Sequence, residues 1–346
     1  MGKLILRLKI TPTTTHSSTQ VFTSKIDVLL LGAKLSSTCD LMFVGHVSID
    51  QVENPNGCMI QPGGAALYAA MAARTLLKNV TLVSAVGKDY KFTDVLKIFS
   101  SKHVRIVGIP STRFHIKYNE RWEPQYLKAS YGAASRITAA SIPTKMLSKS
   151  SIVHLSPMAP KKIAKIIQKI RMDSPETKIA VNTWINYIGV RRNRVILQDL
   201  AKNVDFFMLN DTEAKALTQT DSISIALRLL EAKMLIVTLG ELGAIIKGEE
   251  IGTQMIPALK IPLKKVVDTT GAGDTWCGAF LATYKLTEDI MKSVTIASII
   301  SSIKCSGWGL QKLINLKFKK SDDVIEYVIG LKEGALQKRI LEYTKR

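Results

Sequence analysis

The chain has 346 residues, of which 46% are hydrophobic and 22% are charged, a balance that indicates a folded globular protein and excludes a disordered one. A formal net charge of +20 is compatible with nucleic acid, with an anionic membrane, or with attraction of a polyanionic substrate. The basic residues are spread out and are not interleaved with aromatic residues, so we expect a solvated surface and no specific nucleic-acid site.

The cysteines and the N-terminal segment indicate the cellular setting of the protein. No cysteine pair has C-x-x-C or zinc-like spacing, so we expect free thiols and a reducing, cytoplasmic setting. The apolar run at 28–31 is too short to span a bilayer, and no signal-peptide pattern precedes it. Residues 1–40 also lack core periodicity, so we expect an N-terminal extension outside the core fold and no membrane partner.

From residue 41 onward, short apolar runs alternate with helical patterns. The first strand is predicted at 41–45, and further strands at 80–85, 152–155, 179–181, 206–209 and 235–239. Amphipathic helices are predicted between them at 65–77, 92–101, 159–170 and 223–232. This alternation predicts a parallel sheet with helices on both faces. The segment 289–303 is apolar nearly all round, which predicts a buried helix.

One segment breaks this rhythm. Apolar and polar residues alternate strictly over 112–118, which is the period of a sheet with one covered face. The residues alone predict an amphipathic hairpin over 112–126. A second region of mixed apolar and polar residues lies at 52–60, just after the first strand.

The most informative stretch is 268–280, DTTGAGDTWCGAF, in which a turn of small residues leads into an apolar helix. Backbone amides at such a helix N-terminus, together with the helix macrodipole, form an anion site. A carboxylate there would repel a resting anion, so Asp274 suits a base that deprotonates an attacking oxygen. The alternative is an ordinary helix cap with Asp as the N-cap residue. The stretch lacks the third glycine of the dinucleotide fingerprint, and the chain contains no G-x-x-x-x-G-K-[ST] motif.

This stretch resembles the C-terminal signature of the ribokinase-like (PfkB) carbohydrate and nucleoside kinases, and the resemblance extends over roughly 41–315. It implies Asp274 as catalytic base and an anion hole formed by Gly271, Ala272 and Gly273. The implied fold class is α/β, an open, mostly parallel, doubly wound sheet over 41–330. The resemblance also implies a small β-sheet lid from about 52–60 and 110–131, through which a homodimer is expected. Residues 331–346 are expected to form a basic C-terminal helix or tail.

A carboxylate and a glycine pair indicate where the phosphate acceptor binds. Asp50 follows the first predicted strand, at the edge where open α/β sheets bind ligands, although a surface turn is the alternative. Gly63 and Gly64 open the next helix and allow close approach of a substrate to the backbone. The resemblance implies that all three residues bind the acceptor.

The remaining motifs concern nucleotide and ions. Asn210 and Glu213 suit a hydrated hard cation, and the alternative is a helix cap. The resemblance implies that this pair holds Mg²⁺ through water, and that Asp268 and Thr270 contribute to a monovalent-cation site for K⁺. It implies nucleotide contacts for Asn182, Thr238, Gly240, Gly243, Gly307 and Gly309.

The resemblance implies an ATP-dependent, Mg²⁺-requiring phosphotransferase that moves the γ-phosphoryl group to a hydroxyl of a small polyol, a sugar or a cyclitol. Ribokinase itself carries Asn, Lys and Asn where this chain has Ser48, Ala65 and Tyr68, which disfavours ribose. A nucleoside kinase of the same fold is the first alternative. The alternative from another class is a catalytically silent basic binding protein, against which the intact Asp274 argues.

Overall fold

A sheet of nine strands forms the centre of the part of the chain that the computed structural model describes, which is residues 40–99, 103–143, 147, 150–258 and 266–330. With strands numbered in chain order through the whole molecule, this sheet contains β1 (Asp40–Val44), β4 (Val80–Gly87), β5 (Val104–Val107), β8 (Ser150–Leu155), β9 (Lys178–Asn182), β10 (Phe206–Asn210), β11 (Met234–Thr238), β12 (Gly243–Gly248) and β13 (Gly252–Pro257). Its strand order is β13-β12-β11-β10-β9-β8-β1-β4-β5. The pairs are parallel from β5 to β11, while β12 and β13 are antiparallel additions at one edge.

Helices cover both faces of this sheet. The described helices are α1 (Ala65–Ala73), α2 (Thr93–Lys97), α3 (Pro160–Asp173), α4 (Ile185–Ile188), α5 (Arg191–Asn203), α6 (Asp211–Thr218), α7 (Ile223–Leu229), α8 (Ala272–Thr287) and α9 (Ile290–Cys305), and residues 322–330 are also helical. Side chains of β1 alternate between the two cores, because Leu41 and Phe43 pack with α1, α8 and α9 while Met42 and Val44 pack with α3 and α5. The predicted doubly wound α/β class is therefore confirmed.

The predicted strands and the buried helix lie where the apolar runs placed them. The strand predicted at 41–45 begins one residue earlier, at Asp40, and residues 1–39 lie outside the described residues. Helix α1 is buried on every side from Ala66 onward, so it is not amphipathic, and it ends at Ala73. The strands β5, β12 and β13 were not predicted. In β13 every residue except Ile256 is exposed, so no apolar run marked this edge strand.

A second sheet of four strands lies beside the first. It contains β2 (Ser48–Asn54), β3 (Gly57–Gly63), β6 (Thr112–Tyr118) and β7 (Pro124–Ser130), in the order β3-β2-β6-β7. The hairpin predicted over 112–126 is confirmed as the antiparallel pair β6 and β7. The region at 52–60 covers the end of β2, the turn after it and the first half of β3. The parallel pairing of β2 with β6 sets Asp50 beside Phe114.

Three further expectations concern the membrane, the cysteines and the C-terminal segment. Among the described residues, no helix is both long enough and apolar enough to cross a bilayer. Cys58, Cys277 and Cys305 carry free thiols. The C-terminal segment 331–346 lies outside the described residues.

Candidate active site

A cavity of about 300 Å³ lies at the carboxyl ends of the parallel strands. β9, β10 and β11 end at Asn182, Asn210 and Thr238, and all three residues line it. The first turn of α8 and residues of β2 and β6 form further walls. The cavity therefore occupies the edge at which open α/β sheets bind ligands.

Helix α8 begins without a side-chain cap. Its N-cap residue is Gly271, at φ 71°, and no side chain accepts a hydrogen bond from the first turn. By contrast, Asn210 caps α6 and Asp289 caps α9 through their side chains. Asp274 is the third residue of α8, so the interpretation of Asp274 as the N-cap is wrong. The first-turn amides remain available to a ligand.

Close packing explains why glycine occupies the N-cap. A Cβ on Gly271 would lie 2.3 Å from the ring of Tyr68, and φ 71° is a conformation that glycine adopts without steric cost. The N–H of Ala272 donates to the carbonyl of Thr269 at 3.0 Å, which closes the turn. The amides of Gly273 and Asp274 follow in the first turn, where intrahelical partners are lacking. All of the predicted anion-hole residues, Gly271, Ala272 and Gly273, line the cavity.

The Asp274 carboxylate also lines the cavity. Burial raises its pKa to about 6, against the opposing effects of a hydrogen bond from Asn182 and of the Lys304 charge. The Asn182 amide nitrogen donates to Asp274 Oδ1 at 3.2 Å. A carboxylate with this pKa is ionised at neutral pH and is a stronger base than an ordinary aspartate. Asn182, predicted as a nucleotide contact, therefore also orients the predicted base.

Asp50 lies within β2, because the chain turns at Gly45 and enters β2 at Ser48, so the alternative of a surface turn is wrong. Only 2% of its surface is exposed, and burial raises its pKa to about 7. Ser48 Oγ donates to its carboxylate at 2.6 Å, and the N–H of Gly64 donates as well. A Cβ on Gly63 would lie 1.8 Å from Asp50 Oδ2, so Gly63 makes room for this carboxylate. Asp50 and Gly64 line the cavity.

Asn210 and Glu213 form the alternative structure, a capping box. Asn210 Oδ1 accepts from the N–H of Glu213 at 2.8 Å, and Glu213 Oε2 accepts from the N–H of Asn210 at 3.2 Å. Both residues also line the cavity, and burial raises the pKa of Glu213 to about 7. In the described part of the chain, no group of three or more His, Cys, Asp or Glu residues is arranged so that it could hold a metal ion directly. A small set of carboxylates fits Mg²⁺, which keeps several waters and binds mainly to substrate phosphates.

The other predicted nucleotide residues divide into two groups. Thr238 lines the cavity, as Asn182 does. Gly240 and Gly243 bracket the turn between β11 and β12, and Gly307 and Gly309 follow α9; none of these four is a lining residue.

Of the two predicted cation residues, Asp268 is engaged with protein donors, whereas Thr270 Oγ1 is buried without a hydrogen-bond partner among the described residues. Asp268 is fully buried, and its main-chain oxygen accepts from Lys304 Nζ at 2.8 Å. Burial alone would raise the pKa of Asp268, but Lys304 and several hydrogen bonds hold it below its usual value. The N–H of Thr270 donates to Asp268 Oδ1 at 2.8 Å, and Thr270 lines the cavity.

A group of aromatic side chains lines the cavity beside Asp50, and the sequence analysis did not assign them to the site. This aromatic wall consists of Phe114, Tyr126, Tyr131, Trp184 and Tyr187. Trp184 contacts each of the others edge to face, with ring centroids 5.0 to 6.2 Å apart. The available signal was the position of Trp184 two residues after the end of β9, at the ligand-binding edge.

The fold around this cavity is that of the ribokinase-like kinases. A ribokinase from Giardia lamblia superimposes with a TM-score of 0.70 at 19% identity, covering 84% of this chain and 99% of that one. The chain belongs to the pfkB family of carbohydrate kinases, whose family model matches residues 38–315.

Curated relatives include both sugar and nucleoside kinases. A cytidine kinase of Thermococcus kodakarensis is 27% identical over 277 residues, which cover 78% of this chain and 97% of that protein. A ribokinase of Lactococcus lactis is 27% identical over 300 residues, which cover 80% of this chain and 95% of that protein. Membership of this family supports a phosphotransferase that acts on a small molecule and uses ATP, typically with Mg²⁺.

Proposed function

We propose that this chain transfers the γ-phosphoryl group of ATP to a hydroxyl of a small polyol, and that the polyol is the ribose of a nucleoside. The observation that supports the transfer is the juxtaposition of Asp274 with the uncapped first turn of α8. A base next to bare amides can deprotonate an acceptor hydroxyl while the amides stabilise charge on the transferred group.

We assign particular residues to each step of the proposed reaction. Asp50 accepts hydrogen bonds from acceptor hydroxyls and fixes the attacking oxygen near Asp274. The amides of Gly271 and Gly273 hold the transferred group in line with that oxygen, while the N–H of Ala272 closes the turn between them. Mg²⁺, held through water by Glu213 and Asn210, supplies neutralisation of phosphate charge when it is bound. The small sheet excludes water, which would otherwise accept the phosphoryl group.

The aromatic wall favours a nucleoside over a free sugar or a cyclitol. Phe114 is the register partner of Asp50, so an acceptor held by Asp50 lies beside the wall. The exposed fractions of Tyr126 and Tyr131 are both 37%, so these rings remain open to contact. A planar base can stack on such rings, and stacking on an aromatic side chain is worth roughly 1–3 kcal/mol per base. The cytidine kinase among the relatives agrees with this choice.

The proposal is tested by assaying the full chain with ATP and Mg²⁺ against the common nucleosides, ribose and myo-inositol. We expect a higher kcat/KM for at least one nucleoside than for either free polyol. Trp184→Ala should lower kcat/KM for that nucleoside roughly 5- to 150-fold, mainly through KM. Its effect on any residual sugar phosphorylation should be small.

The matched control is Tyr327→Ala, which removes an exposed aromatic ring that is not a lining residue. It should leave both activities unchanged. A higher kcat/KM for a free sugar or a cyclitol would show that the acceptor is not a nucleoside, and it would leave the assignment as a kinase unchanged. Absence of phosphoryl transfer to every acceptor would favour the silent binding protein.

For cellular setting and assembly, we propose a cytoplasmic homodimer formed through the small sheet. Free thiols support the compartment. Exposed apolar side chains on the small sheet, Ile60 at 60% and Leu127 at 47%, support the interface. Sedimentation of the full chain and of Leu127→Lys tests the dimer, which the substitution should dissociate.

A further inference from the structure

A buried lysine lies directly behind the loop that forms the anion hole. Lys304, in the last turn of α9, has no exposed surface, and neither has Asp268. Its Nζ atom lies 2.8 Å from the main-chain oxygen and 3.3 Å from Oδ2 of Asp268. The same Nζ atom lies 5.4 Å from the centroid of the Tyr68 ring. Tyr68 in turn packs against Gly271, so the lysine is one side chain away from the N-cap of α8.

Burial lowers the pKa of Lys304, and the neighbouring Asp268 opposes this effect through its charge and its hydrogen bond. Two further features beside Lys304 favour a positive charge. The carbonyl of Cys305, at the C-terminal end of α9, accepts from the N–H groups of Val267 and Asp268 at 2.8 and 3.2 Å. The negative end of the α9 macrodipole therefore meets the start of the anion-hole loop. An ionised Asp268 in the same buried place needs a compensating cation.

Each oxygen of Asp268 already accepts at least one hydrogen bond from the protein. Oδ1 accepts from the N–H of Thr270 at 2.8 Å, and Oδ2 accepts from the N–H of Gly309 at 2.9 Å and from Gln61 Nε2 at 3.0 Å. The main-chain oxygen already accepts from Lys304. The expected K⁺ site does not fit this donor arrangement, because a monovalent ion would have to displace the lysine.

We propose that the Lys304 ammonium is a built-in cation that holds residues 268–273 in their anion-binding conformation, in place of a dissociable monovalent ion. The kinase therefore needs no K⁺. Lys304 is a positioning residue, since it acts through Asp268 and Tyr68 and is not a lining residue of the cavity. This inference rests on the proposed kinase function.

The first test uses the unmodified chain. Its kcat and KM are measured with K⁺ replaced stepwise by tetramethylammonium at constant ionic strength, with a nucleoside and ATP as substrates. We expect no change in either constant. A rise of kcat with K⁺ would overturn the inference directly.

The second test removes the ammonium. Lys304→Ala leaves a space beside Asp268, and its kcat should fall about 10²-fold because the loop that positions the phosphoryl group is displaced. K⁺ or NH₄⁺ should restore part of that kcat, whereas tetramethylammonium, which is too large, should not. Lys304→Met fills the space with an uncharged chain and should not be rescued. Lys292→Ala, on the same helix, serves as the control and should stay active without K⁺. Unchanged kcat in Lys304→Ala, or equal rescue by every cation, would overturn the inference.

A third readout does not depend on phosphoryl transfer. KCl should raise the melting temperature of Lys304→Ala above its value in tetramethylammonium chloride, and it should leave that of the unmodified chain unchanged. Equal responses of the two proteins would overturn the inference even if no acceptor were found. A chain that transfers no phosphoryl group but shows the selective K⁺ response would refute the proposed function alone.

Discussion

Asp50, Glu213 and Asp274 bring their carboxyl groups to one cavity, and burial raises the pKa of each, to about 7, 7 and 6. Burying three carboxyl groups without cations between them lowers the stability of the fold, so stability does not explain this arrangement. Perturbed carboxyl groups in a cleft are typical of a functional site. The arrangement costs stability in the free protein, and that cost can be measured.

The loss of stability caused by burying the Asp50 carboxylate predicts how Asp50→Asn changes the free energy of unfolding. Folding raises the pKa of Asp50 from 3.8 to about 7, so the folded state binds a proton more tightly than the unfolded state. The resulting stability is fully present below the unfolded-state pKa of 3.8 and is lost as the pH rises through about 7. At about pH 8 the ionised Asp50 therefore destabilises the fold, and Asn removes this penalty. Asp50→Asn should raise the free energy of unfolding at about pH 8 by about 1 kcal/mol or more, with a smaller gain at about pH 5.

Urea titration at the two pH values measures the effect, and kcat/KM is measured on the same samples. Activity should fall, because Asn cannot replace a carboxylate that accepts two acceptor hydroxyls. Asp89→Asn provides a contrast, since the pKa of Asp89 is lowered to about 2 by Arg113 and Ser111 despite burial. A stability loss in Asp50→Asn at about pH 8 would contradict the account.

Local pattern accounts for part of this site. Asp274 and the glycines before it are recognisable because the turn and the helix start occupy seven consecutive residues. Asn182 lies 92 residues from its partner Asp274, and Lys304 lies 36 residues from Asp268, so no local spacing pointed to either contact. The signal that the sequence offered for Lys304 was a lysine directly after the predicted buried helix at 289–303. The aromatic wall required two separate regions to fold together.

In the proposed reaction, α1 and α8 carry the acceptor and phosphoryl sides of the cavity. These two helices pack in direct backbone contact. A Cβ on Gly278 would lie 1.9 Å from the main-chain oxygen of Ala69. This close approach fixes the distance between Gly64, at the start of α1, and Gly271, at the start of α8. The geometry of the site therefore depends on a glycine outside the signature turn.

Gly278→Ala tests this dependence. The added methyl group meets rigid backbone, so the helices must separate, and overpacking of this kind typically costs about 1–3 kcal/mol. We expect a lower melting temperature together with a lower kcat. Gly189→Ala is the matched control, because its Cβ would make ordinary contacts of 3.8 and 3.9 Å. Equal stability of the two variants would show that α1 and α8 do not need this contact.

The predictability of the elements follows from their burial. All eight residues of β4 are buried, so a mostly apolar run marked the strand. The edge strands β12 and β13 pair with each other beyond the parallel strands, and their mixed composition gave no comparable signal. Helix α5 was missed because its exposed residues, which include several arginines, outnumber its buried apolar ones.

The large positive charge remains to be assigned a role, and we predict that it attracts ATP and maintains solubility. A protein that contacts six or more phosphates should show a steep dependence of log affinity on log salt concentration. Fluorescence anisotropy with duplex and single-stranded DNA should therefore show only weak binding near physiological salt. Submicromolar, salt-sensitive binding would instead support the basic binding protein.

The N-terminal segment is predicted to be dispensable. The residues from Thr38 onward form a compact unit by themselves, and the family match also begins at residue 38. A chain lacking residues 1–37 should keep its kcat and its melting temperature. A chain that starts at Met42 should be less stable, because it loses buried Leu41, which pairs with Val80 and Ile152. Loss of folding in the shorter deletion would show that the segment belongs to the domain.

The account as a whole depends on Asp274 as the general base, and Asp274→Asn tests it most directly. Asn keeps the size of the side chain, and the N-cap of α8 is Gly271, so the helix start should be preserved. Loss of a general base typically costs roughly 10²–10⁴ in rate, and kcat should fall by that factor. Nucleotide affinity should hold or improve, because a negative charge near the γ-phosphate is removed.

The control is Asp289→Asn, a matched substitution at the side-chain cap of α9, which should leave turnover unchanged. The measurement is kcat for both variants with the acceptor identified in the screen, together with their melting temperatures. The account predicts two stable proteins, of which only Asp289→Asn turns over normally. Turnover of Asp274→Asn within about threefold of the unmodified chain would remove Asp274 from the chemistry and contradict the account.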